Sequence, residues 1–340
     1  MRSWMIGIWN MRLRLALLTT LVFGLWPVPA AVADDALPLR YAQTGSTWRS
    51  IFSLPMRVAT KQGFFARHGL AFSMTPIEDG AEASLVALQD GKADVAHVAT
   101  SFLITAALRG ADTVAVTAEF NNPIYSLVAK PWYRSIGELK GRRIGMADMS
   151  GSVSLATLAL FAKHGLSRAD LNIRVIEGTS ARFQCLTTED CEAVPLGQPQ
   201  DFYAQRQGFR LLGASNEAVP EFLYTVTAAR RPWAAQNKET LVRYVRAMRD
   251  SFRFVRDPGN RTQLVLLMKE WWGSSEESAV ATLDLFFNPE KNVLPMEGEI
   301  NLRGVAQVIR FLEEGGVIKS PAPAAESFVD LQYLKAGLGN

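Results

Sequence analysis

The sequence predicts an α/β protein of two similar lobes, each an open sheet flanked by helices, joined by a hinge of two crossing strands. Three observations carry this. Strand-like and helix-like segments alternate through the first two thirds of the chain, the pattern of layered α/β structure with a largely parallel sheet. The same order of segments then recurs: a shift of 98 positions lays Leu186 on Leu88, Glu192 on Asp94, Ala193 on Val95 and Gly208 on Gly110. Finally, about 300 of the 340 residues remain once a leader is set aside, more than one core usually serves.

The leader comes first. Arg12 and Arg14 precede an apolar stretch over 15–26, a breaker region with Pro27 and Pro29, and the small-x-small pattern Ala31-Val32-Ala33. The apolar stretch has about a dozen residues, short of the roughly 20 that span a bilayer, so a cleavable signal peptide over 1–33 is expected. Met11 stands directly before the basic pair, which leaves Met1 and Met11 as alternative starts. No second apolar run reaches membrane length, and no cysteine sits at the cleavage site for lipid attachment. These features together imply a soluble protein of the periplasm.

In the first lobe, residues 39–44 read as a strand and 45–49 as a polar loop. Residues 51–62 read as a helix, with Pro55 tolerated in its first turn. A strand over 70–76, a helix over 81–89 ended by Gly91, a buried strand over 94–99, a helix over 102–108 and a strand over 113–118 follow. The second series runs strand 142–146, helix 152–163, strand 172–177, helix 180–186, strand 192–196 and helix 199–207. Residues 222–227 alternate as one more strand, and helices over 239–255, 263–271, 276–286 and 303–314 complete the chain. The expected division is a first lobe over 34–121, a second over 122–221, and a return to the first with C-terminal helices over 222–340.

The net charge of +3, with basic residues scattered, argues against a nucleic-acid partner. Catalysis has little to stand on. His68, His97 and His164 lie in separate segments without Cys or carboxylates at metal-ligand spacing, and neither a nucleophile elbow nor a phosphate-binding glycine loop occurs. The two cysteines, Cys185 and Cys191, form an even pair suited to a disulfide in an oxidising compartment; two buried thiols are the alternative.

Four stretches carry a family likeness. They are Pro55-Met-Arg-Val-Ala-Thr-Lys-Gln-Gly-Phe-Phe-Ala-Arg-His-Gly-Leu70, Ala87-Leu-Gln-Asp-Gly-Lys-Ala-Asp94, Ser135-Ile-Gly-Glu-Leu-Lys-Gly-Arg-Arg-Ile-Gly145 and Phe328-Val-Asp-Leu-Gln-Tyr-Leu334. In this order they resemble the periplasmic binding proteins for sulfonates, taurine, nitrate and thiamine-pyrimidine precursors, the NMT1/THI5-like group. The resemblance implies a type II periplasmic binding-protein fold and a monomer without cofactor or metal. Its partners would be a small-molecule ligand and the permease and ATPase of an ABC importer at the inner membrane. One departure stands out: the second lobe's version of Ala-Leu-x-x-Gly-x-x-Asp reads Cys185-Leu-Thr-Thr-Glu-Asp-Cys191-Glu, with Glu189 where the glycine belongs.

In an open α/β sheet, ligands bind beyond the carboxyl ends of the strands, and two lobes bring two such edges face to face. The candidate binding residues are Ser46, Thr47, Trp48, Thr100, Ser101, Asn122, Ser150, Gly151, Ser152 and Gln198. Ser150-Gly151-Ser152 directly precedes a helix, where hydroxyls and free backbone amides suit an anion. Plain helix capping is the competing role for those serines and for Thr100 and Ser101. Trp48 offers a stacking surface or a packed side chain. Arg49 and Arg182 are the cations that could reach the cleft, and the pair Trp271-Trp272 reads as packing. The related pyrimidine-precursor synthase needs a lysine and a histidine where this chain has Val98 and Phe102, so an enzyme is not expected. A protein that presents its ligand to a membrane sensor is the third reading.

Overall fold

The computed structural model describes residues 36–339 apart from 79 and 81. The expected leader and its cleavage site lie outside them. In chain order the first lobe contributes β1 (Leu37–Thr44), α1 (Gly45–Trp48), α2 (Leu54–Lys61), α3 (Phe64–Arg67), β2 (Leu70–Ile77), α4 (Ala83–Gln89), β3 (Val95–Ala99), α5 (Thr100–Leu108) and β4 (Thr113–Phe120). The second is built from β5 (Ser126–Ala129), β6 (Arg143–Met146), α6 (Ser152–Lys163), β7 (Asn172–Val175), α7 (Thr179–Thr187), β8 (Ala193–Leu196), α8 (Gln200–Arg206) and β9 (Arg210–Ala214). The chain then forms β10 (Thr225–Arg230), α9 (Arg231–Gln236), α10 (Lys238–Arg256), α11 (Arg261–Trp272), α12 (Glu276–Phe286), α13 (Leu302–Glu314) and α14 (Gln332–Leu338).

The strands make two five-stranded sheets, ordered β2-β1-β3-β10-β4 and β7-β6-β8-β5-β9. In each, four strands run one way and one runs against them: β10 pairs antiparallel with β3 and β4, and β5 with β8 and β9. The reversed strand is in both cases the one that has just arrived from the other sheet. The repeat read from the sequence is thus a repeat of topology, with Val95 and Ala193 opening the matching strands β3 and β8.

One large apolar cluster covers the first sheet, where Leu39, Leu85, Val95, Leu103, Val226 and Phe252 are all fully buried. Helix α10 closes it with Leu241, Tyr244, Val245, Met248, Phe252 and Val255, an i, i+3, i+4 stripe on an otherwise charged helix. Each such side chain stabilises the fold by about 1.5–3 kcal/mol through burial. A polar layer interrupts this core: buried Glu119 pairs with His97 Nδ1 and accepts from Thr227 Oγ1 (2.6 Å) and Tyr41 Oη (3.3 Å).

The second sheet has a thinner core on each face, because its alternating side chains divide between two small clusters. Leu127, Ala129, Ile144 and Met146 join Leu160 and Phe161 of α6 on one face. Val128, Val194 and Leu196 join Cys185, Leu186 and Cys191 on the other. Cys185 and Cys191 are joined in a disulfide with Cα atoms 5.3 Å apart, which staples the end of α7 to the start of β8. Within that loop Glu189 adopts φ 67°, matching Gly91 at 71° after α4. Glycine takes this left-handed geometry freely, whereas a residue with a Cβ is strained by it.

Helix α6 belongs to both lobes, since Val153, Leu155 and Ala156 of its first turns pack in the first lobe's cluster. It also touches α13. Within α13, Gly304 lies so close to the second crossing that a Cβ there would stand 2.6 Å from the carbonyl carbon and oxygen of Phe222.

Some expectations need correction. The polar loop over 45–49 is instead the helical turn α1, and the strand expected over 222–227 begins three residues later, at Thr225. Strands β5 and β9 were not foreseen. His68 and His164 do end helices at matching turns, α3 and α6, and His68 also pairs with Asp250 at 2.8 Å.

Candidate functional site

The chain crosses from the first sheet to the second over 121–125 and back over 215–224. The two crossings are tied together. Tyr224 N donates to Phe120 O (3.0 Å) and Asn121 O (2.7 Å), and Tyr125 N donates to Ser215 Oγ (3.1 Å). Ser215 Oγ in turn donates to Pro123 O at 2.8 Å. Asn122 belongs to this hinge, its amide donating to Pro220 O (3.4 Å) and Lys291 O (3.0 Å).

Next to the hinge the carboxyl edges of the two sheets meet. Ser152 Oγ donates to Ser101 Oγ at 3.2 Å and to Tyr224 O at 3.4 Å, so a helix start of the second lobe touches a helix start of the first. Neither serine caps a helix. Gly151 and Ala99 hold the N-cap positions, and Ser152, Thr100 and Ser101 are already helical. Their hydroxyls are thereby released from capping, and those of Ser152 and Ser101 meet across the interface. Gln198 follows β8, where its Nε2 donates to Asp201 Oδ2 (2.9 Å), which also accepts from Ser126 Oγ (2.8 Å). Burial raises the pKa of Asp201, against the effect of these donors.

Buried polar atoms around this junction, Thr100 Oγ1, Thr225 Oγ1, Gln198 Oε1 and Asn122 Oδ1 among them, have no hydrogen-bond partner among the described residues. Such orphans are uncommon in folded proteins and call for a ligand or water. Aromatic rings wall the same place. Phe52 lies 6.2 Å from Tyr125 and 5.4 Å from Tyr224, and the two tyrosine hydroxyls are 3.3 Å apart. Burial pushes both phenols above the usual tyrosine range.

Two charged groups flank the tyrosines. Asp148 Oδ1 accepts from Ser150 N at 2.9 Å and from Gly151 N, so two of the amides expected to be free for an anion are occupied by the chain's own carboxylate. Arg182, one of the two cations that could reach the cleft, is 2% exposed. Its guanidinium donates to Pro195 O (2.9 Å), Ile176 O (3.2 Å) and Thr179 Oγ1 (3.2 Å), at the carboxyl edge of β7 and β8. Burial lowers its pKa, while Tyr125, Tyr224 and Asp148 act in the opposite direction.

The remaining candidates belong to the turn after β1. Thr47 and Ser46 bond within the turn after β1, Thr47 Oγ1 to Thr44 Oγ1 at 2.8 Å. Trp48 is half-buried beneath Arg57, whose guanidinium lies 4.4 Å from its ring centroid and 5.5 Å from that of Trp271. It is a packed side chain at the lobe surface. Arg49 folds over Gly45, its Nη1 3.1 Å from where a Cβ would stand. Sequence reasoning missed Asp148, Tyr125, Tyr224 and Thr225. It named Arg182 as a cation that could reach the cleft but gave it no place among the binding residues, although it shares a helix face with Cys185 and Leu186 at i, i+3 and i+4 spacing.

Two α/β lobes of like topology, joined by two crossings and facing each other across their carboxyl edges, define the type II periplasmic binding-protein architecture. The chain belongs to the NMT1/THI5-like family, whose model matches residues 52–260. Solved structures agree on the fold. The chain is similar to the ligand-binding component of an ABC-type import system from Staphylococcus aureus, solved with zinc (13% identity, 88% of this chain and 98% of that one, TM-score 0.73). It is similar to the periplasmic aliphatic sulphonate-binding protein SsuA from Escherichia coli (17%, 89% and 99%, 0.70). The periplasmic nitrate-binding protein NrtA from Synechocystis PCC 6803 is a further relative in structure (13%, 90% and 89%, 0.71). No curated protein matches the sequence.

Among the described residues, no helix is long and apolar enough to cross a membrane, and no group of three or more His, Cys, Asp or Glu is placed to hold a metal ion.

Proposed function

We propose that this chain is a periplasmic solute-binding protein that captures a small anion between its lobes and delivers it to the permease and ATPase of an ABC importer. The observation that carries the reading is the junction itself. Ser152 of one lobe and Ser101 of the other meet beside a buried arginine and unpartnered polar atoms, at the edge where this architecture places ligands. The sulfonate- and nitrate-binding neighbours support an anion in particular. An enzyme of the synthase kind finds no support at the positions it needs, because Val98 and Phe102 are buried apolar side chains of the first core.

A ligand that touches both lobes favours the closed arrangement only by its differential affinity for it. Thermal-shift screening of the purified chain against inorganic and organic anions and pyrimidines should yield a ligand, and small-angle scattering should show compaction when it is added. Ser152→Ala should weaken that ligand by about 0.5–3 kcal/mol, the span of a hydrogen bond that can involve charge. An unchanged radius together with undiminished binding by the variant would refute the cleft assignment.

A further inference from the structure

The start of α6 is where backbone amides ordinarily hold an anion, yet the two amides that lead into it, those of Ser150 and Gly151, are spent on Asp148 Oδ1. A second anion placed there would meet that carboxylate at close range and be repelled. Oδ2 of Asp148 accepts no hydrogen bond among the described residues, so this corner of the site offers an acceptor.

The donor corner lies at Arg182. A guanidinium has five N–H groups in a planar fork, and three bonds to neutral acceptors leave two unspent. At 2% exposure this charge faces neither solvent nor a carboxylate bonded to it. The two corners are connected through the tyrosines. A Cβ on Gly197 would stand 3.3 Å from the Tyr125 ring and 3.8 Å from Thr179 Oγ1, the hydroxyl that anchors Arg182. The Tyr125 hydroxyl meets that of Tyr224, and Tyr224 O receives Ser152, the residue after the Gly151 held by Asp148. Gln198 Oε1 is a second acceptor left without a donor.

From this arrangement we infer that the ligand is an amphoteric anion, its negative group received by the unspent donors of Arg182 and an amine, amide or ring N–H received by Asp148 Oδ2. This rests on the anion-capture reading above and assigns its specificity to two residues. Arg182 reads charge, and Asp148 separates ligands that bear a donor from those that do not.

The test uses two matched pairs of probes, methanesulfonate with aminomethanesulfonate and benzoate with 3-aminobenzoate, in calorimetry of the full chain. The wild-type protein should bind the amino member of at least one pair about tenfold more tightly than its partner, as one charge-assisted hydrogen bond allows. Asp148→Asn keeps an oxygen for the Ser150 and Gly151 amides but replaces the free acceptor with a donor, so it should erase that preference and spare the plain anion. Arg182→Gln should weaken both members about ten- to a hundredfold. Arg182→Lys should fall between, retaining the charge without the fork, and it decides the matter if the glutamine variant fails to fold on melting. Undiminished binding in both Arg182 variants, or equal losses for both members in Asp148→Asn, overturns this inference while leaving anion capture intact. If the anion screen yields a ligand but none of the four probes binds, the amphoteric class is wrong. A screen that yields no ligand removes the reading beneath it as well.

Discussion

Replacing Glu189 by glycine should stabilise this protein. The residue sits at φ 67° between the two bridged cysteines, in the place that Gly91 occupies in the first lobe. Holding a residue with a Cβ in the left-handed region costs roughly 1–2 kcal/mol. Glycine returns part of that relief, roughly 0.5–1 kcal/mol, through the larger entropy of its unfolded chain. The net gain is therefore about 0.5–1 kcal/mol. Nothing else of consequence is lost, because the side chain is exposed and Arg143 Nη2 bonds the backbone oxygen at 2.8 Å. Urea unfolding of oxidised protein is the assay, with Glu189→Ala as the control that removes the carboxylate and keeps the strain. The alanine variant should lie within about 0.5 kcal/mol of the parent, as surface changes usually do. If glycine gains nothing, the strain argument fails; if alanine gains as much, the carboxylate was the source of the effect.

Two further outcomes follow from packing. Reducing the Cys185–Cys191 disulfide should cost about 2 kcal/mol, the chain-entropy value for so short a loop, read as a lower melting temperature; an unshifted melt would contradict the stapling role. Gly304→Ala should destabilise by about 1–3 kcal/mol, because the new methyl would stand 2.6 Å from the Phe222 carbonyl and force α13 off the second crossing; near-parental stability would show that the contact relaxes freely.

How far the sequence revealed this molecule depends on which forces set each part. Helices α6 and α12 fall over 152–163 and 276–286 as read, because each begins after a serine or glycine and keeps its periodicity to the end. Strand β5 escaped notice because its four residues are buried on both faces and show no alternation. For β10, the alternating run 222–227 suggested a start three residues early. Pairing with strands on both sides sets the true register, with Thr225 opposite Ala99 and Phe120. In the candidate site, the loops at the carboxyl edges were legible from the α/β plan, and Thr100, Ser101, Ser152 and Gln198 lie at those edges. What the plan does not reveal is which side chains satisfy which others. Asp148 claims the helix amides through a turn of its own, and Arg182 is buried only because α7 lies against the end of the second sheet.

The strand order also fixes the sequence in which the lobes can be completed as the chain emerges from its N-terminus. The second sheet is contiguous: its strands all lie between Ser126 and Ala214. The first sheet has a missing centre, since β3 and β4 do not bond each other and β10, which joins them, arrives only at Thr225. The lobe that appears first is therefore the lobe finished last. Until then β3 and β4 each present an unpaired edge of fully or largely buried residues, the kind of surface that invites pairing with another chain. Any truncation ahead of residue 225 would leave that seam permanently open.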